Sequence, residues 1–195
     1  KSTLLRIIAG ELEAATGEIV TSDKPYYIPQ HTGQYNRMTV AEALRIDKKL
    51  CALEAITRGE ATEENFNNLE DDWEIEERAT TALKAWQLSH IGLSHKMETL
   101  SGGEKTKVFL AGIQIHEPSV ILMDEPSNHL DVSSRGLLYD FIKTTKTSLI
   151  VVSHDRTLLN MLNVIYELER EGVVLYGGNY EFYRELKEEK LNSIP

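Results

Sequence analysis

Two adjacent carboxylates end an apolar run in the second half of the sequence. Val120–Met123 is continuously apolar, and Asp124 and Glu125 follow it directly. Such a run is typical of a strand buried on both faces of a parallel sheet, and ligands bind at the carboxyl ends of such strands. An aspartate there suits Mg²⁺, which takes a carboxylate together with substrate phosphates, and a glutamate suits a base that orients or deprotonates water. The alternative is a strand that ends in a solvated acidic turn.

A serine and two glycines form a second candidate site. Ser101, Gly102 and Gly103 stand just before a predicted helix, Lys105–Ile115. A helix N-terminus offers unpaired N–H groups and the positive end of the helix dipole, and glycine lets a phosphate approach the backbone closely. These residues therefore predict an anion-binding site. The alternative is an ordinary glycine-rich turn.

The first three residues have the types found where a phosphate-binding loop ends. Lys1, Ser2 and Thr3 open a predicted apolar helix, Ser2–Ala9. In such a loop the lysine contacts the β- and γ-phosphates, and the hydroxyl residue binds Mg²⁺. Three residues carry little weight by themselves, so this interpretation depends on the rest of the chain.

Three further polar residues follow predicted strands or precede a helix. Gln30 comes after the predicted strand Tyr26–Pro29, where it can bridge a metal and an attacking water or cap a turn. Asp131 can contact a ligand or cap the next helix. His154 comes shortly after the apolar run Leu149–Val152, where it can donate to a developing phosphate charge or be structural.

The elements that must position these residues alternate along the chain. Val120–Met123, the amphipathic segment Ser133–Lys143 and Leu149–Val152 read as strand, helix and strand, which predicts a parallel βαβ unit and an α/β fold. Periodicity and turn residues predict the remaining elements: a short β-like run at Glu18–Thr21, helices at Thr39–Leu53 and Asp72–Gln87, a polar loop or helix tip at Gly59–Asn68, a hairpin of Val164–Leu168 and Val173–Tyr176, and a charged helix at Tyr180–Asn192.

The charge and the apolar runs of the sequence argue against some classes of protein. The chain of 195 residues has a net charge of -10, which argues against a generic nucleic-acid binder. The acidic residues are concentrated between Glu60 and Arg78, where there are nine of them and one basic residue. Such a charge run is typical of a solvated helix pair or loop. No apolar run approaches the roughly 20 residues that span a bilayer, so we expect no membrane insertion. The one cysteine, Cys51, is compatible with the reducing cytoplasm that we expect as the location.

Taken in order, these residues resemble the ATP-binding cassette (ABC) family over essentially the whole chain. The resemblance implies a P-loop NTPase core with a mostly parallel sheet, ATP and Mg²⁺ as cofactors, and two cassettes that close head to tail around two ATP molecules. It also implies a role for each residue. Lys1, Ser2 and Thr3 would end the Walker A loop, Gln30 would be the Q-loop glutamine, and Ser101, Gly102 and Gly103 would be the signature that binds ATP on the partner cassette. Asp124 would be the Walker B aspartate, Glu125 the catalytic glutamate, Asp131 part of the D-loop, and His154 the switch histidine. By the same roles, Ser2, Gln30 and Asp124 would hold the metal.

The resemblance also implies a division of the chain. Residues 1–30 and 101–195 would form the ATPase core, and residues 31–100 would form a helical subdomain with an arm-like insertion at about 39–87. Against the family pattern, the N-terminal β subdomain and the strand and glycines of the P-loop would be missing. Because that loop supplies the N–H groups that cradle phosphates, we expect the chain by itself to bind ATP weakly.

Within the family, the resemblance is closest to the ABC-F branch of soluble twin-cassette ATPases that act on the ribosome. The features that carry it are Glu104–Lys107 after the signature, Asp124–Asp131, Ser153–Arg156, Tyr176–Tyr180, and the 70 residues between Gln30 and Ser101. The charged tail resembles an inter-cassette linker, which favours the first cassette. The implied function is a translation-associated or antibiotic-resistance ATPase, and the alternative is the nucleotide-binding subunit of a membrane transporter.

Ribosome contact would need basic residues, and the acidic run would repel phosphates. We therefore expect any RNA contact from Lys48, Lys49 and Arg58, which precede the acidic run. The alternative for each of them is a solvated helix face.

Overall fold

A computed structural model describes residues 1–193 of the chain, and at their centre lies a parallel sheet of three short strands. The strands are β1 (Tyr26–Ile28), β2 (Val120–Asp124) and β3 (Ser148–Val152), in the order β1-β2-β3. Ile28 pairs with Met123, and Asp124 pairs with Val152, so all three strands end at the same edge. The expected α/β class with a parallel sheet is confirmed.

The central strand β2 is buried because it has helices on both faces. On one face Leu122 packs against Leu5 and Ala9 of the first helical segment, whose helix α1 is Ser2–Ile8. On the other face Ile121 and Met123 join the main core. Alternate residues of a strand point to opposite faces, so a continuous apolar run such as Val120–Met123 is what a strand covered on both faces requires.

Five α-helices lie between β1 and β2, and all of them except the third pack against the main core. They are α2 (Val40–Ala43), α3 (Asp47–Thr57), α4 (Glu63–Leu69), α5 (Ile75–Ala85) and α6 (Gly102–His116). The apolar residues expected at helical spacing on α5 are buried, namely Ile75, Ala79, Ala82 and Leu83, with Trp86 just beyond. The division of the chain into an ATPase core and a helical subdomain with an arm stays a prediction, and residues 194 and 195 of that core lie outside the described residues.

The single helix predicted for Thr39–Leu53 is wrong, because two helices occupy that range. Thr39 caps α2 and forms the expected capping box with Glu42. The chain then turns at Arg45, whose φ of 59° lies in the left-handed region, and α3 begins at Asp47. The polar stretch expected as a loop or helix tip carries α4, which Thr62 caps through the Asn65 N–H.

Tyr26 joins β1 to α6 through a close contact. Its hydroxyl donates to the Phe109 carbonyl oxygen at 2.6 Å. A Cβ atom added to Gly112 would overlap that hydroxyl oxygen. Only glycine therefore leaves room for the tyrosine at this crossing.

The rest of the chain completes the βαβ unit and adds a separate hairpin. Helix α7 (Val132–Thr144) connects β2 to β3, and α8 (Arg156–Leu159) follows β3. The predicted hairpin is confirmed as antiparallel β4 (Val164–Leu168) and β5 (Val173–Gly177), and the predicted tail helix as α9 (Tyr180–Asn192).

One predicted strand is absent from the described residues. Glu18–Thr21 was expected to be β-like, but residues 11–25 contain no strand. Ile19 and Val20 are exposed, Val20 by 84%, and no neighbouring strand pairs with them in the part described. A two-residue apolar run cannot form a strand without a partner that supplies hydrogen bonds. Within residues 1–193, the helices are too short or too polar for any of them to cross a membrane.

Candidate functional site

The carboxyl edge of the sheet gathers residues from all three strands. Gln30 follows β1 by two positions, Asp124 ends β2, Glu125 comes next, and His154 follows β3 by two positions. Because the strands are parallel and in register, these residues emerge at one edge of the sheet. The sheet thus brings together candidates that lie as much as 124 positions apart in the chain.

Asp124 is a buried carboxylate with one oxygen left without a partner. Its side chain is almost fully buried, and Oδ1 makes no hydrogen bond within the described structure. Oδ2 accepts a hydrogen bond from the Tyr27 hydroxyl at 3.4 Å. Burial, and then the negative charge of Asp124, raise the pKa of Tyr27 well above its ordinary value. A buried carboxylate oxygen without a hydrogen-bond partner is costly, so a cation at Oδ1 would stabilise the site.

These residues fit Mg²⁺ better than a metal held entirely by protein. Within residues 1–193, no cluster of three or more His, Cys, Asp or Glu side chains could hold a metal. Mg²⁺ commonly takes only one or two carboxylates and completes its shell with waters and substrate phosphates. The free oxygen of Asp124 therefore suits a metal that arrives with a phosphate ligand.

Glu125 is held in place by the last residue of β3 and by His154, two positions beyond it. Its N–H donates to the Val152 carbonyl oxygen at 2.7 Å, and its Oε2 accepts from the His154 N–H at 3.2 Å. The His154 ring nitrogen Nε2 lies 3.4 Å from Oε1. Glu125 itself is buried, whereas the His154 side chain is 82% exposed. The pair therefore links a shielded carboxylate to a ring that a ligand can reach.

The backbone of Glu125 is strained. Its φ is 49°, in the left-handed region that residues with side chains seldom adopt. Such a conformation costs on the order of 1–3 kcal/mol and persists only where the surroundings impose it. Here the hydrogen bonds to Val152 and His154 impose it and turn the carboxylate towards the third strand.

Two tyrosines that the sequence analysis did not single out support this edge. Tyr27 contacts Asp124, and the Tyr139 hydroxyl of α7 donates to Asp155, which caps α8 through the Leu158 N–H. Burial and then the hydrogen bond to Asp155 raise the pKa of Tyr139 to about 12. Nothing in the sequence pattern marks these tyrosines, because their partners lie on other elements.

Burial by itself would raise the pKa of Asp155. The hydrogen bonds from Tyr139 and from the Leu158 N–H outweigh it and hold the pKa below its ordinary value. Asp155 therefore carries its charge next to His154 at neutral pH.

The start of α6 is a capped helix whose glycines make close contacts. Ser101 accepts from the Glu104 N–H at 3.2 Å, and the Glu104 carboxylate accepts from the Ser101 N–H at 3.4 Å. A Cβ atom added to Gly103 would lie 2.6 Å from the His129 carbonyl oxygen, and one on Gly102 would lie 3.4 Å from the His129 ring. The glycines therefore allow the loop after β2 to approach the helix. Ser101 and Gly102 are exposed, so an anion can reach the helix start.

Asp131 is a helix cap. It accepts from the Ser134 N–H at 2.8 Å at the start of α7. Hydrogen bonds from Ser134, first from its side chain and then from its N–H, lower the pKa of Asp131. The capping alternative is therefore observed, and the nucleotide contact stays a prediction.

Four other candidates form no hydrogen bond through their side chains within the part of the chain described. Lys1 and Thr3 are exposed, while Ser2 and Gln30 are partly buried. Lys1 precedes α1 without capping it through its side chain. Their proposed contacts with phosphate and metal stay predictions.

Comparison with solved structures agrees with this architecture. The ATP-binding subunit of an ABC transporter aligns with 96% of this chain and 77% of its own, with a TM-score of 0.67 and 23% identity. At that identity the comparison shows the fold. The fold is that of the P-loop NTPases.

Sequence comparison gives the family. A profile of the ABC transporter family matches residues 1–128. The chain is 32% identical over 213 residues to the ATP-binding protein YdiF of Bacillus subtilis, and the match covers 96% of this chain and 33% of YdiF. It is 32% identical over 221 residues to the energy-dependent translational throttle protein EttA of Haemophilus influenzae, covering 98% of this chain and 38% of EttA. The chain belongs to the ABC transporter family as an ATP-binding cassette, and it spans about a third of the length of these relatives.

Proposed function

We propose that this cassette binds ATP with Mg²⁺ and takes part in its hydrolysis as one of a head-to-tail pair of cassettes. The observation that carries the proposal is the buried Asp124, with one unpartnered oxygen, beside the Glu125–His154 pair. Mg²⁺ would supply charge neutralisation on the phosphates. Asp124 would bind the metal together with Ser2 and Gln30, and Lys1 and Thr3 would lie against the phosphates.

In the proposed mechanism Glu125 orients and accepts a proton from the attacking water. The His154 ring lies next to one oxygen of that carboxylate, and because the ring is exposed it can also contact the γ-phosphate. Ser101, Gly102 and Gly103 would contact ATP on the partner cassette through the start of α6, and Asp131 would lie at the same interface. ABC cassettes in general are ATPases, and the roles of these residues in this chain are part of the proposal.

The metal site can be tested with a conservative substitution. In a protein that carries this cassette and its partner, Asp124→Asn should weaken Mg²⁺-dependent ATP hydrolysis by at least about tenfold, because a carboxylate ligand is lost. Asp140→Asn, on the exposed side of α7, is the matched control and should leave turnover unchanged. Equal turnover in the two variants over a Mg²⁺ titration would contradict the proposed role of Asp124.

We also propose an ABC-F function on the ribosome. The support is the set of motifs that resemble this branch and the similarity to ABC-F proteins such as EttA, whose name describes a translational throttle. Of the basic residues proposed for RNA contact, Lys49 forms a salt bridge with Asp72 at 3.0 Å and Arg58 one with Glu54 at 3.1 Å. Lys48 is exposed. The salt bridges make Lys49 and Arg58 weaker candidates than Lys48.

Co-sedimentation separates this function from its alternative. A Glu125→Gln variant held with ATP should co-sediment with ribosomes, and the same protein with ADP should not. Recovery of a membrane permease in place of ribosomes would favour the transporter subunit and reject the ABC-F function, while leaving ATP hydrolysis by the cassette intact.

A further inference from the structure

An apolar groove with an acidic rim lies between α3 and the start of α5. It has a volume of about 400 Å³, which is large enough for a few side chains. None of the residues that line it is a candidate for the nucleotide site. They are Leu53, Trp73, Thr80 and Thr81, with Glu74, Glu76 and Glu77 around them.

Trp73 is the main apolar surface of this groove and is held in one orientation. Its indole N–H donates to Asp71 at 2.7 Å, and its ring contacts the Phe66 ring edge to face with centroids 6.2 Å apart. Trp73 is 48% exposed and Phe66 is 44% exposed. Aromatic residues are enriched at protein–protein interfaces, and tryptophan contributes strongly to binding when a partner covers it. Because the indole is already fixed, a partner would lose little entropy in ordering it.

The negative charges around the groove are not paired with basic side chains in the part of the chain that the structure describes. Glu74, Glu76 and Glu77 form no salt bridge within residues 1–193. The neighbouring Asp72, in contrast, pairs with Lys49 and Arg78, and its carboxylate therefore contributes to packing between helices. Three uncompensated carboxylates beside an exposed indole favour a partner that supplies both positive charge and apolar surface.

We propose that this groove binds a basic amphipathic segment of a partner protein. An apolar side chain of the segment would cover Trp73 and Leu53, and its lysines or arginines would approach Glu74, Glu76 and Glu77. The negative charge of the rim excludes nucleic acid and anionic lipid as occupants, because their phosphates would be repelled. The proposal stands independently of the ATPase function.

The chain provides its own optical signal for the test. Of its two tryptophans, Trp73 is exposed and Trp86 is 4% exposed, so a change in emission on binding reports mainly on Trp73. Titration with a helical peptide made of leucine and lysine should shift the emission to shorter wavelength and saturate. The same peptide with glutamate in place of lysine, and a lysine peptide without leucine, should bind at least about tenfold more weakly.

Substitutions then locate the binding surface, with a labelled peptide and fluorescence anisotropy as the readout. Trp73→Ala should weaken binding of the leucine–lysine peptide at least about tenfold, whereas Tyr166→Ala, an exposed aromatic on the hairpin, should not. Glu76→Gln with Glu77→Gln should weaken it and reduce its salt dependence. Glu63→Gln with Glu64→Gln makes the same charge change in the first turn of α4 and should leave binding unchanged.

Thermal unfolding of each variant confirms that it is folded. Equal affinities in the groove variants and their controls would overturn the proposal. Binding of single-stranded RNA or of anionic vesicles that depends on Trp73 would overturn it as well.

Discussion

At the scale of single residues, Glu125 shows how a strained backbone can serve a side chain. Its left-handed φ turns the chain immediately after β2, so that the carboxylate meets His154 after β3. Asp124, one residue earlier, keeps an extended strand conformation and stays next to Tyr27. Adjacent carboxylates are thereby placed in different surroundings, one with an unpartnered oxygen and one shielded by a histidine.

Glu125→Gln should slow ATP hydrolysis by at least about two orders of magnitude in a protein that carries both cassettes. Glutamine has the same shape and can still accept the His154 N–H, but it cannot take a proton from water. ATP binding should therefore be kept while single-turnover hydrolysis is lost, with the closed pair of cassettes trapped. Glu171→Gln, in the exposed hairpin turn, serves as control. Near-normal turnover in Glu125→Gln would refute the assigned role.

Gly103→Ala should destabilise the chain by about 1–3 kcal/mol, because the new Cβ atom would lie 2.6 Å from the His129 backbone oxygen. Gly136→Ala is the matched control, since nothing lies within 4 Å of the Cβ position there and alanine suits the interior of α7. It should leave stability unchanged or raise it by up to about 1 kcal/mol. Chemical denaturation measures both values, and a neutral Gly103→Ala would show that the α6–loop contact is not tight.

Among the helices and strands, the sequence predicts those features that depend on neighbouring residues in the chain. The apolar run before Asp124 and the βαβ order place Asp124, Glu125 and His154 at one sheet edge, and the capping box of Thr39 follows from residue types alone. The break at Arg45 could not be predicted, because no glycine or proline marks it and packing of α2 and α3 determines it. Tyr27 was missed for a similar reason, since its contact with Asp124 exists only once β1 and β2 pair.

The Tyr139–Asp155 hydrogen bond connects α7 to the cap of α8. Tyr139→Phe should lower the free energy of unfolding by about 1 kcal/mol at neutral pH. The folded state lowers the pKa of Asp155, so this contribution is complete above the ordinary value of 3.8 and is lost as pH falls through the lowered pKa. On the alkaline side it is lost as pH rises through about 12, the raised pKa of Tyr139.

Denaturation curves of Tyr139→Phe and the parent chain at several pH values would therefore converge in acid. Tyr166→Phe, which removes a hydroxyl from an exposed position on β4, controls for the loss of the oxygen. A difference that stays constant from neutral to strongly acidic pH would contradict the involvement of the Asp155 charge.

Across the molecule as described, from residue 1 to residue 193, one apolar face of the hairpin is left exposed. Tyr166 pairs with Leu175, and Leu168 pairs with Val173, and all four side chains are exposed. The opposite face packs against α9 through Tyr176, Tyr183 and the Glu167–Lys187 pair. A contiguous apolar face of this kind on a two-stranded hairpin is unusual for a surface in water.

Leu175→Lys should reduce the binding of a hydrophobic dye such as anilinonaphthalene sulfonate, because it interrupts the centre of this face. Leu191→Lys, an equally exposed leucine on α9, makes the same charge change outside the face. The measurement is the dye fluorescence of the two variants, and a larger loss in Leu175→Lys would show that the dye binds this face. Equal losses would mean that the signal reflects net charge rather than the hairpin.

The close contact between Tyr26 and Gly112 restricts which residues related proteins can have at these two positions. The phenol oxygen occupies the space that any larger residue at position 112 would need, and it also binds the Phe109 carbonyl. In a related protein with a shorter side chain in place of Tyr26, that space is free. Alanine can then replace the glycine at position 112. A lineage that keeps the phenol is confined to glycine, so the two sites should change together among descendants of a common ancestor, although 86 positions separate them along the chain.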